Sequence, residues 1–169
     1  DGLLETTQVG PVIHNNSLQN VYRYVKIALS EGGRLVCGGE RATEGDLAKG
    51  SFYKPTIIAD VLVNHTIFQE EIFGPVLAVS KADSFEHAIE LQNSVNFGLS
   101  SSIYTRNVND AFRAIRDIEA GITYINSPTI GAEAHMPFGG VKGTGNGHRE
   151  GGWTVFDIFT EWKTVYVDY

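Results

Sequence analysis

The single cysteine, Cys37, carries the most nucleophilic side chain in the sequence. A reactive cysteine needs a lowered pKa, which a helix N-terminus or a neighbouring cation can provide. Cys37 instead ends the short apolar run 35–37, a setting in which a thiol behaves as a small buried hydrophobe. We therefore expect Cys37 to be a buried structural residue and not a nucleophile.

The sequence also contains five histidines, which could bind a metal or transfer protons: His14, His65, His87, His135 and His148. None of them belongs to an HExxH or CxxH pattern, so the sequence does not predict a metal site. His135 and His148 lie in the glycine-rich stretch 126–152 and could serve a pocket. Solvated loop histidines are the more common alternative.

Two adjacent carboxylates, Glu70 and Glu71, precede the segment Ile72-Phe73-Gly74-Pro75. Neighbouring side chains point to different sides of most backbones, which argues against a general acid/base pair. One of the two could accept hydrogen bonds from ribose hydroxyls, as acidic residues do in dinucleotide sites. A capped turn is the alternative that the residues alone favour.

The glycines at 143, 145 and 147 do not form a known phosphate-binding loop. His148 stands where the third glycine of G-x-G-x-x-G would be, and the stretch lacks the GK[ST] ending of a P-loop. We expect these glycines to allow a tight backbone crossing, because a missing side chain lets two segments approach closely.

Helix and strand patterns alternate along the chain, as in a mostly parallel sheet covered by helices. The first predicted helix spans 17–31, capped by Ser17, and two others begin after Ser84 and after Asn107, the last ending at Gly121. Ligands bind at the carboxyl ends of strands in such folds, which directs attention to the turn after Ile125. The predicted strands are 35–37, 53–58, 76–79, 99–104 and 122–125, with a surface loop at 40–50 and a short helix near 153–159. The first helix is expected to bury one face formed by Leu18, Val21, Tyr22, Val25, Ala28 and Leu29.

The final stretch, 160–169, alternates aromatic and other residues and is predicted to be a long terminal strand. A strand needs a partner edge, and a terminal strand can find one on another subunit. We therefore expect self-association through this segment.

Composition excludes several other classes of protein. The 169 residues include 13 Lys+Arg and 20 Asp+Glu, a net charge of −7, which argues against a nucleic-acid or anionic-membrane partner. Apolar runs reach only about four residues, far fewer than the roughly 20 that span a bilayer. One cysteine excludes an internal disulfide and favours a reducing compartment, so we expect a cytoplasmic protein.

Three motifs, in order along the chain, together resemble signature segments of the aldehyde dehydrogenase superfamily. They are QEEIFGPV at 69–76, NFGLSSSIYT at 96–105, and Ile125-Asn126 followed by PFGGVKGTG at 137–145, and VGPVI at 9–13 matches as well. The resemblance runs nearly end to end. It implies that residues 1–159 are the C-terminal part of the family's α/β catalytic domain and that residues 160–169 are its oligomerisation strand.

The resemblance also implies a chemistry. In this superfamily a cysteine thiolate attacks the aldehyde, hydride passes to NAD or NADP, and a glutamate-activated water hydrolyses the resulting thioester. Matched position by position, Glu71 would hold the nicotinamide ribose and Phe73 would contact the nicotinamide. Ile130 and Phe138 would line the substrate entrance, and Cys37 falls at a non-catalytic strand position.

The family's nucleophile, general base and dinucleotide-binding domain all belong before the 9–13 motif. We therefore expect this chain to lack them and to be inactive on its own. Residues 131–150 are similar to the 2-oxoglutarate semialdehyde (2,5-dioxovalerate) dehydrogenase branch, with the aminoadipate semialdehyde branch nearby. This favours a small, carboxylated aldehyde, to which Arg149 or His135 could contribute a positive charge.

Two other interpretations remain open at this stage. The chain could be a separately encoded, non-catalytic remnant that acts as an assembly or binding module. It could also be an unrelated small nucleotide-binding domain, although the missing phosphate loop argues against this.

Overall fold

A computed structural model describes residues 2–169 of the chain. The chain divides into two compact units, the first ending at Asp83 and the second running from Ser84 to Tyr169. The sequence did not predict this division. Within the described residues, no helix is both long and apolar enough to cross a membrane.

The first unit packs helices against a three-stranded sheet. The strands lie in the order β1-β2-β3, with β2 antiparallel to β1 and parallel to β3. The elements are α1 (Asn15–Ser30), β1 (Arg34–Cys37), a 3-10 helix (Gly45–Lys49), β2 (Thr56–Ala59), α2 (Thr66–Gln69) and β3 (Val76–Ala78).

Helix α1 supplies much of the core of this unit. It begins earlier than predicted, because the Nδ1 atom of His14 accepts a hydrogen bond from the backbone N–H of Ser17 at 3.0 Å and caps the helix. The prediction of Ser17 as the cap was therefore wrong. The buried face also differs, since Tyr24 is buried while Tyr22 and Leu29 are 41% and 40% exposed. The buried face of α1, made of Leu18, Val21, Tyr24, Val25 and Ala28, packs with Tyr53, Ile58, Val61 and Ile67.

Cys37 lies on a strand, as predicted, but it is not buried. All four residues of β1 are exposed, and β1 is an edge strand of the sheet. The nearest polar partner of the Cys37 thiol is the carbonyl oxygen of Pro55 at 3.9 Å. The expectation of a buried thiol was wrong because an apolar run on an edge strand need not face the core.

The second unit contains two separate pairs of strands and three helices. Strands β5 and β6 are parallel, whereas β4 and β7 are antiparallel. The elements are α3 (Phe85–Asn93), β4 (Phe97–Gly98), β5 (Ser100–Ile103), α4 (Val108–Asp117), β6 (Ile122–Ile125), β7 (Val141–Lys142), a 3-10 helix (Gly152–Thr154) and α5 (Val155–Phe159).

The helix caps predicted in this unit are confirmed at the start of α3 and α4. The Ser84 hydroxyl accepts from the backbone N–H of His87 at 3.1 Å, and the Asn107 side chain accepts from that of Asn109 at 3.0 Å. Helix α4 ends at Asp117, however, so Gly121 is not its terminus. The apolar face predicted for α4 is largely exposed: Val108 at 64%, Phe112 at 68% and Ile115 at 53%.

The α/β class is confirmed, with helices and the parallel strand pairs β2/β3 and β5/β6. The antiparallel pairs β1/β2 and β4/β7 were not predicted. Residues 160–169 are exposed and form no strand in this single chain. A strand is defined by hydrogen bonds to a partner edge, so the predicted oligomerisation strand, and the boundary at 159/160, stay predictions.

Candidate functional site

Glu71 and Phe73 lie in the segment 70–75, between α2 and β3 of the first unit. Glu71 is exposed and its carboxylate makes no hydrogen bond or ion pair with residues 2–169. Phe73 is 80% exposed, while Ile72 between them packs against the core. The segment therefore presents a carboxylate and an aromatic ring to solvent, one residue before and one residue after the partly buried Ile72.

The structure separates the two adjacent glutamates, which the sequence could not. The Glu70 carboxylate accepts a hydrogen bond from the Tyr24 hydroxyl at 2.7 Å. The Glu70 carboxylate thus has a hydrogen-bond partner within the chain, and Glu71 is the carboxylate available to a ligand.

The backbone at Phe73 is strained. Its φ angle is +55°, in the left-handed region, which bulky side chains rarely adopt. Such a conformation costs on the order of 1–3 kcal/mol and persists only where the surrounding structure imposes it. Residues held in this way cluster at ligand sites, so the strain supports a binding role for this segment.

The chemistry of the pair Glu71 and Phe73 fits the nicotinamide riboside end of a dinucleotide. A free carboxylate accepts hydrogen bonds from ribose hydroxyls, and an exposed aromatic ring offers a flat apolar face to a planar ring. The exposure of both side chains is the observation on which this fit rests.

A cleft of about 520 Å³ lies in the second unit, beside β6. Tyr124 and Phe138 contribute aromatic side chains to its lining, with Met136, Glu133 and His135 nearby. Phe138 thus lines a cleft, and its role at the substrate entrance stays a prediction. Ile130 is 77% exposed and does not line this cleft, although its neighbour Gly131 does.

Only one of the two basic side chains considered for an anionic substrate reaches this cleft. His135 lines it, and its Nδ1 lies 3.3 Å from a carboxylate oxygen of Glu133. Arg149 is not among the described residues that line the cleft, and its guanidinium donates to the carbonyl of His148 at 3.1 Å.

The tight backbone crossing predicted for the glycines at 143, 145 and 147 is present at Gly143 and Gly145 but not at Gly147, where nothing lies within 4 Å of an added Cβ. A Cβ added at Gly145 would overlap the carbonyl oxygen of Gly140, and one added at Gly121 would overlap that of Gly139. Gly121 is therefore a close-approach glycine that fixes the backbone beside Phe138.

Two further residues brace this region and were not predicted as important. The Lys142 ammonium donates to the carbonyl of Asn93 and contacts the Glu119 carboxylate, each at 2.6 Å. The Asn126 side chain bonds both backbone groups of Thr105, at 2.8 and 3.0 Å, and ties the chain ends that follow β5 and β6. Both residues have φ of +53°, and a backbone signal of this kind is not readable from sequence.

The remaining histidines have structural surroundings or lie exposed. His65 is buried, and its Nδ1 accepts from the backbone N–H of Leu62 at 3.2 Å, while His148 is exposed. Within residues 2–169, no group of three or more His, Cys, Asp or Glu side chains is arranged to hold a metal ion.

Comparison with known proteins gives a consistent result. The model of the aldehyde dehydrogenase family matches residues 1–165. The chain is 41% identical over 167 residues to alpha-ketoglutaric semialdehyde dehydrogenase of Bacillus subtilis (strain 168), covering 99% of this chain and 34% of that protein. It is 38% identical to a betaine aldehyde dehydrogenase of Cereibacter sphaeroides, covering 99% of this chain and 33% of that protein.

Solved structures agree with this assignment. An NAD-dependent aldehyde dehydrogenase from Sinorhizobium meliloti matches with a TM-score of 0.91 and 37% identity, over 99% of this chain and 32% of that one. A betaine aldehyde dehydrogenase from Staphylococcus aureus in complex with NAD+ matches with a TM-score of 0.88 and 30% identity, over 93% of this chain and 31% of that one. The chain spans about a third of the length of the relatives it matches. It belongs to the aldehyde dehydrogenase family.

Proposed function

We propose that this chain forms the nicotinamide-ribose and substrate-entrance portion of an NAD(P)+-dependent aldehyde dehydrogenase. The observation that carries the proposal is the exposed Glu71 carboxylate beside the exposed, strained Phe73. The family match over residues 1–165 supports it. The reaction of the whole enzyme converts an aldehyde, water and NAD(P)+ to a carboxylic acid, NAD(P)H and a proton.

Each residue of the pair has a separate task. Glu71 accepts hydrogen bonds from the ribose hydroxyls, and Phe73 packs against the nicotinamide and fixes its orientation. When bound, NAD(P)+ accepts the hydride of the aldehyde carbon. Correct orientation matters because a small misplacement of the reacting atoms lowers the rate steeply.

The covalent step needs a nucleophile other than Cys37. Cys37 lies on the edge strand β1 of the first unit, and it matches a non-catalytic strand position of the family. We propose that the thiohemiacetal and the thioester form on a cysteine outside these 169 residues, in the part of the relatives' length that this chain does not span.

For the substrate we propose a small carboxylated semialdehyde. The relative at 41% identity, an alpha-ketoglutaric semialdehyde dehydrogenase, supports this class, and His135 in the cleft can donate to a carboxylate. The Glu133 carboxylate also lines the cleft, as do the aromatic rings of Tyr124 and Phe138. These groups would instead suit a quaternary ammonium group, which the carboxylate attracts by its charge and the rings by cation–π contacts. The cleft thus contains side chains that suit an anionic substrate and others that suit a cationic one. The substrate preference of the full-length enzyme decides between the two classes.

An aldehyde panel on the full-length enzyme tests this assignment. The panel should contain dicarboxylic semialdehydes, an aldehyde with a quaternary ammonium group, and a neutral aldehyde of similar length. We expect the highest kcat/KM for a semialdehyde, and a selective loss for that substrate in His135→Gln. The highest kcat/KM for the ammonium aldehyde would contradict the substrate class but not the reaction.

Assembly is a further part of the proposal. Trp162 and Tyr166 are each 93% exposed, which is unusual for large aromatic residues. We propose that residues 160–169 pair with a second copy of the protein, in the cytoplasm. Self-association of an inactive 169-residue chain, with no longer protein produced, would instead favour a non-catalytic assembly module.

The isolated chain provides the direct test of its dependence on the rest of the enzyme. We expect no NAD(P)+-dependent aldehyde oxidation by the purified 169-residue chain. Measurable turnover by this chain alone would contradict the proposal that the nucleophile lies elsewhere.

A further inference from the structure

Helix α1 holds the segment that leads to Glu71 through two hydrogen-bonded contacts. The Glu31 carboxylate accepts from the backbone N–H of Thr66 at 2.8 Å and from its hydroxyl at 2.5 Å. The Tyr24 hydroxyl donates to Glu70 at 2.7 Å. These contacts fasten both ends of the short helix α2 to α1.

A third contact fixes the far end of the same segment. A Cβ added at Gly74 would overlap the side chain of Val21, which is fully buried. Pro75 follows, and its carbonyl accepts from the backbone N–H of Thr56 at 2.9 Å. Val21 and Tyr24 are three residues apart and lie on the same face of α1, so α1 holds the segment 70–74 at both ends.

We propose that Tyr24 is a positioning residue for cofactor binding, acting through its hydrogen bond to Glu70. Glu71 and Phe73 lie between the two fixed ends and are exposed, so within the described residues their placement depends on those ends and on Ile72 between them, which packs against the core. The inference rests on the proposed function, because it assumes that Glu71 and Phe73 bind the nicotinamide riboside.

The backbone at Phe73 is strained, and the contacts on either side of it hold it in place. Phe73 holds a left-handed φ of +55°, a conformation that relaxes unless both ends of the segment are fixed. Without the Tyr24 hydroxyl, the Glu70 side chain loses its described partner, and the segment is then held by Ile72, which packs against the core, and by the contact at Gly74. The ring of Phe73 and the carboxylate of Glu71 would then sample several positions, and binding would have to order them at an entropic cost.

Tyr24 is suited to remain a donor over a wide pH range. Its hydrogen bond to Glu70, its burial and the negative charge of Glu70 raise its pKa above the ordinary value. The hydroxyl therefore stays protonated at neutral and moderately alkaline pH, where the contact to Glu70 is needed.

The test is a set of matched variants in the full-length enzyme. Tyr24→Phe removes only the hydroxyl, and we expect the KM for NAD(P)+ to rise roughly tenfold, because cofactor binding must then order the side chains of Glu71 and Phe73. The KM for the aldehyde should change less than about twofold. Tyr22→Phe is the control, because Tyr22 is on the same helix and 41% exposed, and it should leave both KM values unchanged.

Variants at Glu70 identify the contact itself. Glu70→Gln keeps an oxygen that accepts from Tyr24, so its cofactor KM should stay close to that of the unmodified enzyme. Glu70→Ala removes the acceptor, so its cofactor KM should rise as in Tyr24→Phe. The double variant Tyr24→Phe/Glu70→Ala should be no worse than either single variant. Glu70→Ala also covers the case in which Tyr24→Phe fails to fold, because Glu70 is exposed.

Hydrogen–deuterium exchange separates this inference from the proposed function. Tyr24→Phe should speed exchange in the peptide that contains residues 66–76, where the backbone N–H of Glu70 donates to the carbonyl of Thr66 at 2.9 Å, and Tyr22→Phe should not. Unchanged exchange in Tyr24→Phe and Glu70→Ala would overturn the positioning role, whatever the cofactor KM. Faster exchange with an unchanged cofactor KM would instead overturn the assignment of Glu71 and Phe73 to the cofactor, and the positioning role with it.

Discussion

Replacing Tyr53 by phenylalanine should stabilise the protein, although most substitutions of core residues destabilise it. Tyr53 is 4% exposed and packs in the core of the first unit, and its hydroxyl has no hydrogen-bond partner within residues 2–169. Burying an unpaired hydroxyl costs about 1–3 kcal/mol. Tyr53→Phe removes this cost and leaves only a small gap, so we expect the free energy of unfolding to rise by about 1 kcal/mol.

The same hydroxyl predicts a pH dependence. Burial, and then the charges of Tyr22 and Glu40, raise the pKa of Tyr53 to about 12 from 10.0. The folded state therefore keeps this proton after the unfolded state has lost it. Linkage then makes stability fall as the pH rises from about 10 to about 12, while below pH 10 this contribution is fully present. The free energy of unfolding of Tyr53→Phe should not contain this decrease between pH 10 and pH 12, because the variant has no hydroxyl to titrate.

Urea unfolding followed by circular dichroism, at pH 7 and again at pH 11, measures both effects. Tyr24→Phe is the matched comparison, because its hydroxyl has a partner in Glu70, and it should lose about 1–2 kcal/mol at pH 7. The two variants remove the same atom and should change stability in opposite directions. Destabilisation of Tyr53→Phe by 1 kcal/mol or more would refute the reasoning, since it would mean that the hydroxyl is satisfied.

Three other predictions concern the glycine crossing, the final segment and the cysteine. Gly121→Ala should lower the free energy of unfolding by about 3 kcal/mol, because two backbone segments must separate. Gly10→Ala is the control: nothing lies within 4 Å of the added Cβ, so the free energy of unfolding should change by less than about 0.5 kcal/mol. Equal effects in urea unfolding would contradict this. Deleting residues 160–169 should shift the protein to a smaller species in light scattering without loss of helical signal, and an unchanged mass would argue against assembly through this segment. Cys37→Ser should keep the turnover of the full-length enzyme within about twofold, and a loss of several orders of magnitude would make Cys37 the nucleophile.

Two helix starts could be predicted from the sequence, because the hydrogen bond that caps each of them joins residues only two or three positions apart. Ser84 and Asn107 cap their helices as expected, because a short polar side chain reaches the backbone N–H of a residue two or three positions on. His14 was missed because an imidazole cap does not follow this residue preference. The parallel pair β5/β6 follows from the strand–helix–strand pattern, whereas β4 and β7 are two residues each and too short to show a pattern.

Tertiary partners could not be predicted in the same way. The sequence offered no reason to prefer Glu71 over Glu70, because the deciding contact comes from Tyr24, which is 46 residues away along the chain. Cys37 was placed in the core because apolar periodicity does not distinguish an edge strand from a central one. Gly121 looked like a helix end and is instead a site of close backbone approach, which only the fold reveals.

We propose above that Glu71 is the carboxylate that binds the nicotinamide ribose. The most direct test of this proposal is the KM for NAD(P)+ of the full-length enzyme carrying Glu71→Gln, with Glu90→Gln, an exposed carboxylate on α3, as the control. Replacing a charged acceptor by a neutral one should raise the cofactor KM roughly tenfold, and the control should not change it. A cofactor KM and kcat equal to those of the unmodified enzyme in Glu71→Gln would contradict the account.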